Sequence, residues 1–89
     1  MATVNFTAHL RRVAPAGSVS AEGDTVGAVL GQVFAGYPKL GTYVLDDQGR
    51  LRKHVAIFVD GERVMNDAVL DHEVRPDAEI YVMQALSGG

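Results

Sequence analysis

The residues with the most chemical promise stand at the end of the sequence, Ala85-Leu86-Ser87-Gly88-Gly89. Read as a chain terminus, they present a carboxylate on Gly89. Neither Gly88 nor Gly89 has a Cβ, so the segment can thread a narrow slot and approach another protein's reactive groups closely. Five extended residues reach roughly 17 Å at about 3.3 Å each. That places Gly89 deep in a partner's cleft while the folded body stays outside. A Gly-Gly pair at a given place arises by chance about 0.5% of the time at ~7% glycine usage. The plain alternative is an inert, frayed end.

Other residues that could do chemistry are less well arranged. His9, His54 and His72 are dispersed, with no i, i+4 pairing that would hold a metal, and read as solvent-exposed or strand-surface residues. Asp46-Asp47 beside Gly49 is a turn, with no enclosed pocket for paired acid–base work. Gly23-Asp24-Thr25-Val26-Gly27 lacks the lysine and the spacing of a phosphate-binding loop. Arg11-Arg12 and Arg50-Arg52-Lys53 are two basic clusters that read as a solvated rim; a patch for an acidic partner or a phosphate is the sharper reading.

Composition narrows the classes further. Eighty-nine residues make one small domain with a modest core and no room for a deep substrate cavity of its own. Hydrophobic content of 47% with 21% charged residues is ordinary for a globular chain. A net charge of −3 argues against a general nucleic-acid binder. The absence of cysteine removes disulfides, iron–sulfur clusters, thiolate zinc sites and a thiol nucleophile. No apolar run approaches the ~18 residues of a membrane span, and Met1 to Phe6 lacks the form of a signal peptide. The expected setting is the cytoplasm, with no membrane or nucleic-acid partner and no metal.

The elements that must position the tail follow from hydrophobic spacing. Thr3 to Leu10 alternates with period two, Val4, Phe6, Ala8 and Leu10 on one side, which predicts a half-buried strand. Ser18 to Ala21 returns as a short strand after a loose loop. Asp24 or Thr25 can cap a helix whose apolar stripe is Val26, Val29, Leu30, Val33 and Phe34. Gly36 in a left-handed conformation would close that helix, and Pro38 would stop it from resuming. Leu40 to Leu45 reads as a helical turn or irregular connection. A strand enters from Leu51 and is strongest from His54 to Val59; Asp60-Gly61 signals a tight hairpin into Glu62-Arg63-Val64. Met65 to Glu73 is loop-like, with Val69 and Leu70 plugging the core. Arg75 to Ala78 then turns the chain into a last strand through Ile80-Tyr81-Val82-Met83. The expected fold is α+β: one main helix on a mixed sheet of four to five strands, the β-grasp arrangement. Residues 1–84 would form the body and 85–89 a flexible tail.

Several segments together resemble the ubiquitin-like sulfur-carrier proteins. They are Gly23-Asp24-Thr25-Val26-Gly27-Ala28-Val29-Leu30, Tyr37-Pro38, Gly49-Arg50-Leu51, the run from Val55 to Glu62, and Gly88-Gly89. That family includes the thiamine-pathway carrier, the small subunit of molybdopterin synthase and the carrier that feeds a cysteine synthase. The likeness spans about Val4 to Gly89. It departs at Pro76-Asp77-Ala78-Glu79, where an Asp-Gly-Asp turn is common, and at Gln84-Ala85-Leu86-Ser87, where a proline often precedes the glycines.

The resemblance implies that Gly89 is adenylated with ATP by an E1-like partner enzyme. A persulfide sulfur would then leave a thiocarboxylate on Gly89, and a second, biosynthetic enzyme would accept that sulfur. The chain would be a co-substrate without catalytic residues or bound cofactor. Gly88, Ser87 and Leu86 would be the tail that the enzyme encloses. The cysteine-synthase type is favoured by the helix opening and by Gly49-Arg50-Leu51. The alternatives are the small subunit of molybdopterin synthase, a modifier joined to lysines through isopeptide bonds, and an interaction module with an inert tail.

A docking face is also legible. If Val55, Ile57, Val59, Ile80 and Val82 face the helix, then Ala56, Phe58, Tyr81 and Met83 share the opposite side of the sheet. An apolar outer face suits a partner surface, where aromatic residues and Met are enriched. The bland reading is a Phe58–Tyr81 pair that only stabilises the sheet.

Overall fold

The computed structural model describes residues 1–7, 10, 17–64 and 68–84. The strands are β1 (Ala2–Phe6), β2 (Val19–Ala21), β3 (Val55–Val59), β4 (Glu62–Val64) and β5 (Glu79–Gln84), and the helices are α1 (Val26–Gly36) and α2 (Pro38–Val44). A single 3-10 turn, Val69–Asp71, lies before β5. The strands make one sheet in the order β2-β1-β5-β3-β4. β1 and β5 run parallel, and the other neighbours are antiparallel. The expected mixed sheet and main helix are present, and the segment read as a helical turn or irregular connection is the helix α2.

The sequence explains α1 locally. Thr25 is extended, and its Oγ1 accepts the Ala28 N–H at 3.1 Å, satisfying one of the donors that a helix start leaves unpaired. Val26, Val29, Leu30 and Val33 are buried against Val4, Ile57, Ile80 and Val82. Each such aliphatic side chain removed from water contributes about 1.5–3 kcal/mol before conformational entropy is subtracted. The helix does not close on a left-handed glycine as its sequence suggests. Gly36 stays helical and Tyr37 takes φ −136° and ψ 72°, because a residue preceding proline is driven out of the helical region. Pro38 then opens α2, where its missing N–H costs nothing.

Two other expectations are corrected. The first strand ends at Phe6 instead of continuing to Leu10; Leu10 is buried, but its N–H turns back to the Thr7 carbonyl. Ala8 and His9 lie outside the described residues. The strand expected from Leu51 begins only at Val55. Leu51 makes an isolated bridge with Leu45, and a turn closes from the Val55 N–H to the Arg52 carbonyl. The Asp60-Gly61 hairpin forms as its sequence predicts, with φ of 51° and 87° and Val59 opposite Glu62. Both residues are left-handed, which matches the turn's twist to that of the strands.

Two glycines of α1 differ in what surrounds them. A Cβ on Gly27 would lie 2.8 Å from the Leu70 carbonyl oxygen, so the glycine lets the 3-10 turn pack directly on the helix. A Cβ on Gly31 meets nothing within 4 Å. Gly31→Ala is therefore expected to gain up to ~1 kcal/mol through helix propensity. Gly27→Ala gains the same term, but backbone overpacking costs about 1–3 kcal/mol, so the net effect is a loss. Denaturant midpoints of the two variants check the opposite signs.

Candidate functional site

The last strand occupies the middle of the sheet and leads to the tail. Ile80 and Val82 are completely buried. The strand's final residue, Gln84, is the register partner of Val55 and donates its N–H to Thr7 Oγ1 at 3.3 Å. The Thr7 N–H in turn reaches the Val82 carbonyl at 3.2 Å. The root of the tail is thus fastened on both sides. Leu86, Ser87, Gly88 and Gly89, the expected tail and reaction site, lie outside the described residues. Thr7 was not singled out by sequence, since a polar outward residue on a strand carries no mark of a cross-strand role.

On the outer face, Ala56 stands opposite Met83 and Phe58 opposite Tyr81. Tyr81 and Met83 are about two-fifths exposed, at 42% and 40%, whereas Ala56 and Phe58 are half-buried. The residues named from the alternating pattern therefore share one patch. Register extends the row to Asn5 beside Tyr81 and to Arg63 beside Phe58. The patch is apolar in the middle and polar at both flanks. Asn5 Nδ2 is buried without a hydrogen-bond partner, a feature that sequence did not signal.

The loop after α2 is ordered by one carboxylate. Asp46 Oδ1 accepts the backbone N–H groups of Gln48 and Arg50 at 2.9 Å each, and Oδ2 lies 3.7 Å from Arg50 Nε. The Arg50 N–H contributes most to holding the carboxyl below its ordinary pKa of 3.8. Asp46 is thus a turn-forming residue, in keeping with its reading as one. Among the described residues, no three His, Asp or Glu side chains converge as a metal site would require. No described helix is long and apolar enough to cross a membrane.

A mixed sheet with its last strand central, one face covered by α1 and the chain leaving from that strand, defines a ubiquitin-like β-grasp protein. Residues 4–89 match the ThiS family, and the chain belongs to it. The sulfur carrier protein CysO of Mycobacterium tuberculosis is 32% identical over 74 residues, covering 81% of this chain and 80% of CysO. The crystal structure of that CysO superposes with a TM-score of 0.84 at 29% identity, over 97% of this chain and 100% of the other. SAMP1 of Haloferax volcanii is also similar, with a TM-score of 0.80 at 27% identity over 99% and 98%. The CysO complex with BexX from Amycolatopsis orientalis gives 0.87 at 23% identity over the full length of both chains, a likeness of fold.

The depressed pKa of Asp46 sets the sign of a pH effect. Its ionised form is favoured in the fold, so its contribution is present above pH 3.8 and lost as pH falls through the lower folded value. Asp46→Asn is expected to be less stable than the parent at neutral pH. The difference should shrink below pH 3.8, read from denaturant midpoints across the acid range.

Proposed function

We propose that this protein is a sulfur carrier, a co-substrate whose reactive group is the carboxylate of Gly89. The observation that supports this most is the family match, which runs through Gly89 and is joined to a tail root fixed in the sheet centre. Residues 1–84 are the handle, and 85–89 are the part an enzyme encloses. A carboxylate resists attack because its charge is delocalised and oxide is a poor leaving group. An E1-like partner, consuming ATP, converts it to an acyl-adenylate and releases pyrophosphate. The terminal sulfur of a persulfide displaces AMP, and a thiol reductant cleaves the resulting acyl disulfide to leave the thiocarboxylate. That anionic sulfur is then delivered to a biosynthetic acceptor enzyme. Similarity to CysO favours an acceptor that makes cysteine.

The outer face of Ala56, Phe58, Tyr81 and Met83 is the surface on which these enzymes dock. An apolar centre with polar flanks has the anatomy of a protein interface. The CysO complex with BexX offers a precedent for a carrier of this fold held by another protein.

A second reading has one specific support. SAMP1 of Haloferax volcanii, a small archaeal modifier protein, is similar over nearly the whole chain. In that reading the activated Gly89 joins lysines of other proteins by isopeptide bonds. The two share activation and differ in the nucleophile.

Intact mass decides between them. Incubation with ATP, the activating enzyme and a sulfur donor should add the difference between sulfur and oxygen, and one residue appended after Gly89 should abolish the shift. An unchanged mass would overturn the carrier reading. Conjugates of higher mass in a cell extract, lost on deletion of Gly88-Gly89, would establish the modifier. Tyr81→Ala should weaken association with the activating enzyme about tenfold or more if the outer face docks it. Unchanged affinity would leave that face a purely structural pair.

A further inference from the structure

Arg50, Arg52, Lys53 and Arg63, four of the chain's eight lysines and arginines, line one open concavity of about 820 Å³ together with His54. Among the described residues, Asp46 is the one carboxylate in that lining, and it already faces Arg50. Among the described residues the lining thus carries four cations and one anion, in a chain whose net charge is −3. Like charges gathered in one place repel, and they also focus a positive potential over a concave surface.

These cations are available. Lys53 and Arg63 are exposed, and their side chains take no part in the hydrogen bonds or ion pairs of the described residues. Arg52 is steered by Nε donating to the Thr42 carbonyl at 3.0 Å, and Arg50 by Nη2 donating to Gln48 Oε1 at 2.7 Å.

Position gives the cleft its meaning. Val55, in its wall, is the register partner of Gln84 at the root of the tail. Arg63, on its rim, stands opposite Phe58 of the outer face. The cleft therefore joins the place where the tail leaves to the edge of the apolar patch.

The form of the cleft selects its occupant. A single phosphate is best held by converging backbone N–H groups, but those of Gln48, Arg50, Arg52 and Val55 are already engaged within the chain. Long cations spread over the 46–54 loop and β4 instead match several carboxylates spaced along a polypeptide. We propose that this cleft receives an acidic polypeptide segment of the enzyme that takes up the tail, and so sets its direction of approach. The inference rests on the carrier reading for the enzyme's identity; the binding chemistry can be tested without it.

The first test titrates the full-length, 15N-labelled protein with a glutamate-rich peptide and, separately, with inorganic phosphate. The peptide should shift amide signals of residues 50–55 and 63–64 in a saturable way. High salt should abolish the shifts, as should Lys53→Glu combined with Arg63→Glu, and phosphate should produce none that saturate. Arg75→Glu, at the opposite end of the sheet, should leave the response intact. Peptide shifts that are absent or scattered would overturn the proposal, as would saturation by phosphate at the same residues.

The second test measures ATP-dependent loading by the activating enzyme. The Lys53→Glu, Arg63→Glu double variant should raise KM about tenfold or more with kcat little changed, as expected for lost electrostatic steering. If the parent is loaded and the double variant has the same KM, the cleft proposal fails while the carrier reading stands. If the parent itself is never loaded, the carrier reading fails, and the peptide titration alone decides the cleft.

Discussion

Everything in this molecule depends on β5 being the middle strand. It hydrogen-bonds in parallel to β1 on one side and antiparallel to β3 on the other, and it brings the buried Ile80 and Val82 against α1. Without it the sheet separates into two hairpins, neither of which can bury a hydrophobic face unaided. The same strand carries the tail. Core and outer face are thus joined in a run of six residues whose inward side chains hold the core and whose outward ones, Tyr81 and Met83, make the exposed apolar patch.

Much of this arrangement is legible from local pattern. The capping oxygen of Thr25, the apolar stripe of α1 and the Asp60-Gly61 turn are short-range devices whose geometry is set by a few neighbours. The opposed faces of β3 and β5 follow from period-two alternation, which alone groups Ala56, Phe58, Tyr81 and Met83. What local pattern misses is decided across the chain. The first strand's alternation continues through Ala8 and Leu10, yet β1 stops at Phe6. There the side chain of Thr7 takes the Gln84 N–H instead of continuing a ladder. The basic cleft was visible only as a cluster near Arg50; Arg63 joins it because β4 folds back beside β3.

The glycines near the start of α1 show how a motif can invite the wrong chemistry. Gly23 and Gly27 have the look of a phosphate loop, but what each excludes is a Cβ. One on Gly23 would strike the backbone of Ala28 and Val29, and one on Gly27 the carbonyl of Leu70. They are there so that a loop and a 3-10 turn can lie flat against the helix. Packing of the body, not ligand binding, accounts for them.

A mechanical property follows from where the tail is rooted. A load applied to the residues that follow Gln84 pulls along the axis of the central strand. The hydrogen bonds to β1 and β3 run across that axis, so they resist such a load together, in shear, and do not open one at a time like a zip. A pull at that end is therefore met by the whole width of the sheet at once, so the body answers it as one piece.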